Sequence, residues 1–455
     1  MKHSLILALV ILSITASCRN EKAYVEPQLT GIEKYTDSLF TASIDSSMVA
    51  GGAVLIHQNG ETLLKQAYGQ ASLELDVPMP ENASFEIGSV TKQFTAVAIL
   101  KLVEEGKLSL EDDFTKYMDF DTKGRKITID HLLNHTSGIA SYTEIEEFGS
   151  LVPQDLPRDS LTRIIETKDF LFEPGEALIY NNSAYFFLGL IIEKVTEKAY
   201  EQYLDEVIFE PLGMQNTYYC SNSKAVKNKA YGYDFSPDGL QQKQYLNHAW
   251  PYAAGSLCST TEDLLIWMDA LHNEKILTQE QYQELITPKT LNDGSKVSYA
   301  MGLANFMNFG HHEISHGGGI PGFLTDTRYY PEEDLYIICL INTAGPHGAG
   351  FFADNITWNL LKKKEYEGMD LDFDLKEIVG TYSGQTRGRK QSVAVNAIEN
   401  AITTEFNDDG KIDTLNIYIG DHTWMDGNTK VRIEDGISTA DQIYGYYIMK
   451  AQDEK

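Results

Sequence analysis

Along this 455-residue chain the spacing of apolar positions changes from segment to segment, and each change marks an element. A polar stretch over 19–27 leads into a segment, 29–46, that reads as a helix. Residues 53–57 and 62–68 read as two paired strands, because Asn59-Gly60 between them supplies the positive φ angles that a tight hairpin turn needs. From 89 to 105 the spacing becomes helical. Phe94, Val97, Ala98, Ile99, Leu102 and Val103 leave little polar surface there, which predicts a mostly buried helix ended by Gly106. Further helices are expected over 129–133, 183–195 and 260–271, the last opened by a capping box of Ser259 with Glu262. Strands over 325–330 and 335–342 flank the turn Pro331-Glu332-Glu333-Asp334.

An early hairpin, central helices and late strands predict an α+β fold with an antiparallel sheet flanked by helices. The charged, poorly periodic stretch 362–374 marks a boundary between a first domain over 28–365 and a second over 375–455. The second reads as short strands with turn signals at Asp408-Asp409-Gly410 and Asp426-Gly427, a small C-terminal β-rich accessory domain without a constellation for chemistry.

Composition adds two exclusions. Hydrophobic residues at 42% and charged residues at 23% fit a globular protein with a real core. A net charge of −29 repels phosphates, which excludes nucleic acid as a partner. Residues 1–17 have a signal-peptide layout: Lys2, an apolar run over 5–14, then Ala16-Ser17 before Cys18. The run is shorter than the about 20 residues a spanning helix needs. Small residues directly before a cysteine resemble the bacterial lipoprotein signal, with Thr15 where an aliphatic residue is usual. The expectation is an exported protein held in the cell envelope, periplasmic or at the surface, by a lipid on Cys18, its only membrane contact. Cys220, Cys258 and Cys339 then remain, too few for a disulfide framework, and Cys339 lies in an apolar run as a core residue.

Three short motifs carry candidate chemistry. In Ser89-Val90-Thr91-Lys92, at the start of the buried helix, Lys92 lies one turn from Ser89 on the same face. A lysine kept neutral by burial could take the serine's proton. A second Ser-x-x-Lys, Ser221 to Lys224, opens no apolar helix and reads as a surface loop. Tyr180-Asn181-Asn182 precedes an apolar helix; a phenol near cations can act as a base, and an amide can hold a carbonyl. Its competitor Tyr245-Leu246-Asn247 lies in a polar region, and each could be no more than a turn tyrosine. His316-Gly317-Gly318-Gly319 comes just before a strand, where small residues let the backbone pass close to a ligand. The amides of Gly319 and Ser89 could then bind a developing oxyanion; the plainer reading is a glycine turn.

In this order the three motifs resemble the class C β-lactamases and their penicillin-binding, esterase and D-peptidase relatives. His131 to Gly138, Pro211 to Met214 and Ala254 to Thr260 look like the same family, and the resemblance covers about 30–360. It implies a β-lactamase/transpeptidase-like fold with a helical subdomain, and a covalent acyl-enzyme on Ser89. Lys92 and Tyr180 would share the proton, Asn182 would hold the substrate's amide or ester, and His316, Gly318 and Gly319 would line the substrate site. No cofactor and no metal are implied, and the partner would be a small-molecule or peptide substrate. The family's third motif usually begins with lysine; His316 is largely neutral near pH 7, which shifts weight from β-lactams towards esters, amides or D-amino-acid peptides.

Two rival readings come from other classes. A penicillin-binding sensor or scaffold would keep Ser89 acylation but turn over slowly or not at all. His312-Glu313-Ile314-Ser315-His316 has the form of a zinc-peptidase motif, which works only on a helix; the glycines and Pro321 that follow at once argue against one. No Gly-x-Ser-x-Gly elbow is present for an α/β-hydrolase.

Overall fold

The computed structural model describes residues 31–364, 366–407 and 410–452; the expected signal peptide, Cys18, Asp408 and Asp409 lie outside them. Helix α1 (Gly31–Asp45) leads into the hairpin of β1 (Gly51–Gln58) and β2 (Glu61–Ser72). Its turn has Asn59 and Gly60 at φ 51° and 77°, as the pattern required. A 3-10 turn, Gly88–Val90, runs directly into α2 (Thr91–Glu104), and α3 (Asn182–Thr196) and α4 (Thr261–His272) follow. Then come β3 (Ala304–Asn308), β4 (His311–Ile320), β5 (Phe323–Tyr330), β6 (Leu335–Ile341) and α5 (Ala349–Leu360).

Among the described residues the central sheet is antiparallel in the order β3-β4-β5-β6-β1-β2, closed by the two-residue strand Val77–Pro78. Every residue of β6 is buried, which explains its unbroken apolar run: both of its faces are covered. Ile337, Cys339 and Ile341 point with Val54 and Ile56 to the layer of α1 and α5, packing on Phe40, Phe352 and Ile356. Ile338 and Leu340, with Ala53 and Leu55, join the larger core on the other side, which includes Phe94, Ile99, Phe187 and Trp267. Each large apolar side chain so buried stabilises by about 1.5–3 kcal/mol. Helices α2 and α3 cross in this larger core, against the short helix Tyr252–Gly255.

Two expectations change. The cap of α4 is Thr260, whose side chain accepts from Asp263 N at 3.2 Å, because Ser259 belongs to the preceding strand Leu257–Ser259. Cys220 and Cys258 form a disulfide with their Cα atoms 5.3 Å apart, while Cys339 is free and buried as expected. The zinc motif lies on β4, not on a helix. Four residues of strand separate His312 and His316 by about 13 Å, and alternation sends Glu313 to the other face. There Glu313 accepts from Asn308 and Tyr330, each at 2.6 Å. Among the described residues no group of three His, Cys, Asp or Glu side chains is arranged to hold a metal ion.

The C-terminal segment forms a strongly curved antiparallel sheet that includes β7 (Gly380–Thr386), β8 (Arg389–Ile398), β9 (Ile437–Gln442) and β10 (Gly445–Ala451). It has its own core of Val393, Val395, Ile402, Trp424, Ile433 and Met449. Strand β10 also pairs with Leu178–Ile179, Gly445 opposite Ile179 and Tyr446 opposite Leu178. Leu178, Tyr180, Tyr299 and Tyr446 share one apolar cluster across the seam. The tail is therefore hydrogen-bonded to the strand that immediately precedes Tyr180.

Candidate active site

The three motifs meet in one open cleft of about 510 Å³, lined by Ser89, Tyr180, Asn182, His316 and Gly317 to Gly319. The 3-10 turn presents Ser89 at the head of α2. Gly88 makes the turn possible: its φ is +52°, and a Cβ there would stand 2.9 Å from Gly319 N. Gly318 has the same tightness, since a Cβ on it would lie 2.0 Å from the Ile87 carbonyl oxygen. These glycines let β4 pass directly against the serine turn. The Gly317 amide donates to Tyr444 Oη at 2.9 Å, so it faces away from β5. Gly319 has the same parity on the strand, and its N–H turns to that same open edge, beside the start of the helix that carries Ser89.

Lys92 is fully buried one turn along α2. Its Nζ lies 3.2 Å from Ser89 Oγ, 2.8 Å from Asn182 Oδ1 and 2.8 Å from the Ala254 carbonyl oxygen. Among the described residues no carboxylate pairs with it. Burial, and secondarily the charge of Arg387, hold its pKa well below the ordinary lysine value. A neutral amine has two N–H groups, which the two carbonyl oxygens take, and this leaves its lone pair facing the Ser89 hydroxyl.

The motif Tyr180-Asn181-Asn182 divides its work. Asn181 caps α3, accepting from Ala184 N at 2.9 Å, while its own amide N–H donates to His135 Nδ1 at 3.1 Å. Asn182 bridges Lys92 to Thr143, whose Oγ1 accepts from Nδ2 at 3.1 Å. Tyr180 places its ring 4.7 Å from Lys92 Nζ, with a buried hydroxyl that has no well-formed hydrogen bond among the described residues. Burial raises its pKa above the ordinary phenol value, and Ser89 offsets that only in part. Tyr180 is therefore a neutral phenol in the resting site.

His316 is buried and fixed in one tautomer: Nδ1 donates to the Gly317 carbonyl at 2.5 Å, and Nε2 accepts from Tyr299 Oη at 2.9 Å. Burial, with the nearby Lys92, lowers its pKa to about 3. Both ring nitrogens are used within the protein, so it offers the cleft no cation. The two competitor motifs are elsewhere. Ser221 Oγ accepts from the amides of its own surface loop, and Tyr245 is exposed.

Several site residues were not singled out by the sequence reading. His135, at φ 59°, packs its ring at a tilt against Tyr180, with centroids 4.5 Å apart. Tyr299 positions His316. From the tail come Tyr444 and Arg387, both lining the cleft. Arg387 Nε donates to Glu144 Oε1 at 2.7 Å, and its Cζ is 5.1 Å from the Tyr180 ring centroid. A signal was present: Arg387, Arg389 and Lys390 form a basic turn around Gly388 in a strongly acidic chain.

A family model described as Beta-lactamase matches residues 36–360. Protein flp of Staphylococcus aureus (strain MRSA252) is 30% identical over 319 residues, 68% of this chain and 63% of its own length. Penicillin-binding protein 4* of Bacillus subtilis (strain 168) is 31% identical over 311 residues, 64% of this chain and 68% of its own. The octameric penicillin-binding protein homologue from Pyrococcus abyssi superposes with a TM-score of 0.66 at 25% identity, covering 92% of this chain and 100% of that one. That last likeness reaches into the C-terminal segment, beyond the span the motifs alone suggested.

Proposed function

Because this chain belongs to the β-lactamase family, we propose that it is a serine hydrolase whose Ser89 forms a covalent acyl-enzyme on an ester, amide or D-amino-acid peptide bond. The observation that carries the reading is the setting of Lys92: buried, unpaired with any carboxylate among the described residues, and aimed at Ser89 Oγ. Neutral Lys92 takes the proton as Ser89 Oγ attacks the acyl carbon. The amides of Ser89 and Gly319 stabilise the oxyanion, a contribution of about 10²–10³ in rate for one such donor. The Tyr180 phenol relays the proton to the leaving group, and Asn182 holds the acyl side. Water then repeats the sequence in reverse, with Lys92 again the base.

We further propose that the chain is exported and anchored in the cell envelope through a lipid on Cys18, with 28–365 the hydrolase domain and 375–455 an accessory one. The Cys220–Cys258 disulfide supports an oxidising compartment. Among the described residues no helix is long and apolar enough to cross a membrane.

Intact mass of the protein isolated from the envelope tests both proposals. The expected chain begins at an acylated Cys18 and gains one fluorophosphonate, an addition absent in Ser89→Ala. A penicillin adduct that persists for hours would favour the slow-turnover sensor instead. Absence of any adduct on the wild type would overturn the hydrolase reading.

A further inference from the structure

Glu86 stands three residues before Ser89, on the short strand Phe85–Glu86, and takes no part in the chemistry above. Its side chain is fully buried among basic groups. Lys243 Nζ lies 2.6 Å and Lys229 Nζ 3.7 Å from Oε1, and His248 Nε2 lies 3.7 Å from Oε2. Burial works against the charge, yet His248 and Lys243 hold the carboxyl pKa down at about 2. Such a buried ion pair is weak evidence for stability, since well-packed apolar residues often serve a fold as well or better. None of these four groups is among the described residues that line the cleft.

What the pair joins gives it a purpose. Lys243 follows the hairpin of Tyr233–Ser236 and Gly239–Gln242, and its stem lies on the turn between β4 and β5. In that turn Gly322, at φ +79°, has no room for a side chain: a Cβ would stand 2.5 Å from Lys243 Cβ. Lys243 Nζ lies 5.0 Å from the centroid of the Phe323 ring, which meets Phe85 edge-on at 6.3 Å. Asp234 holds the same turn, accepting from Gly322 N at 2.9 Å and from Gln244 N at 3.1 Å. Glu86 leads to the Ser89 amide three residues on, and Gly322 follows the Gly319 amide by three. We propose that Glu86 is a positioning residue: through Lys243 it clasps the strand entering the serine turn to the β4–β5 turn, and so fixes the spacing of the Ser89 and Gly319 amides that receive the oxyanion. It touches no reacting atom. A misplacement of about 1 Å can cost 10²-fold in rate, so a clasp behind these donors acts on the transition state more than on bound substrate. This rests on the serine-hydrolase reading above.

The test compares 4-nitrophenyl acetate with its thiono analogue, whose sulfur in place of the carbonyl oxygen accepts hydrogen bonds poorly. Wild type, Glu86→Gln, Lys243→Met and the double variant are assayed at equal folded fraction, checked by circular dichroism. Wild type should prefer the oxygen ester. In each single variant kcat/KM for that ester should fall by about 10–10²-fold, carried by kcat rather than KM, and the preference for oxygen should shrink with it. The double variant should be no slower than the slower single one, because the two residues act as one pair. The acid limb set by Lys92 should not move. Labelling of Ser89 by a fluorophosphonate, whose phosphoryl oxygen would meet the same two amides, should slow in parallel, and it reads the effect where turnover is low. If Glu86→Gln does not fold, Lys243→Met decides alone, since that side chain is 22% exposed. A variant that loses stability but keeps the wild-type preference and labelling rate overturns the proposal, and the pair then only supports the fold. A moved acid limb with an unchanged preference overturns it too, placing Glu86 behind the base instead. No labelling of Ser89 in the wild type overturns the hydrolase reading along with this one.

Discussion

At Lys92 one fully buried nitrogen meets two carbonyl oxygens and the Ser89 hydroxyl, and burial holds its pKa down, the property the proposed base needs. Replacing it tests the proton path directly. Lys92→Met is expected to lower kcat/KM by about 10²–10⁴, the usual worth of a general base, with an unchanged circular-dichroism spectrum. The pH profile has a fixed sign. The amine works when neutral, so wild-type activity falls as pH drops through the lowered Lys92 pKa, and that acid limb lies well below the ordinary lysine value. A limb near the ordinary value would contradict the assignment. The order Ser89, Lys92, Tyr180, Asn182 and the glycines of β4 was legible because each motif is local. His135 and Ala254 lie in stretches the resemblance named but had no role there, because nothing in the sequence says which backbone oxygen meets Lys92 or which imidazole lies beside Tyr180.

Elements were read well where one period dominates. The first hairpin, α2 and the β5–β6 pair stand where the pattern put them, within a few residues. The cysteines misled because three do not pair off evenly, yet two of them can meet when a short strand brings them together. That strand, Leu257–Ser259, also pairs with Phe85–Glu86, just ahead of the serine turn. The disulfide closes a loop of sequence separation 38. Cys258→Ser should therefore lower the unfolding free energy by about 2–4 kcal/mol, read from the denaturant midpoint at constant slope. An unchanged midpoint would mean that the bridge adds nothing to the fold.

Over the whole molecule, the tail is where sequence reading stops. The contacts that matter join residues far apart, Arg387 to Glu144 across 243 positions and Tyr444 to Gly317 across 127, and no local pattern records them. The seam also carries a buried carboxyl. Asp441 on β9 accepts from Ser298 Oγ at 3.3 Å, and burial raises its pKa to about 6. Between its ordinary value of 3.8 and about 6 the unfolded chain is ionised and the folded one is not, so stability falls as pH rises through that window. Asp441→Asn removes this penalty. It should stabilise the protein by about 3 kcal/mol at pH 7.5 and have little effect at pH 4, measured by denaturant titration at both. Equal effects at the two pH values would show that the carboxyl is not held neutral.

The hydrogen bond from Gly317 to Tyr444 bears on how the protein is made. A ribosome completes Ser89, Lys92, Tyr180 and all of β4 before Tyr444 exists. The complete cleft therefore needs the last strands paired with Leu178–Ile179, so a chain cut short before Tyr444 would keep Ser89 and Lys92 yet lack that part of the lining.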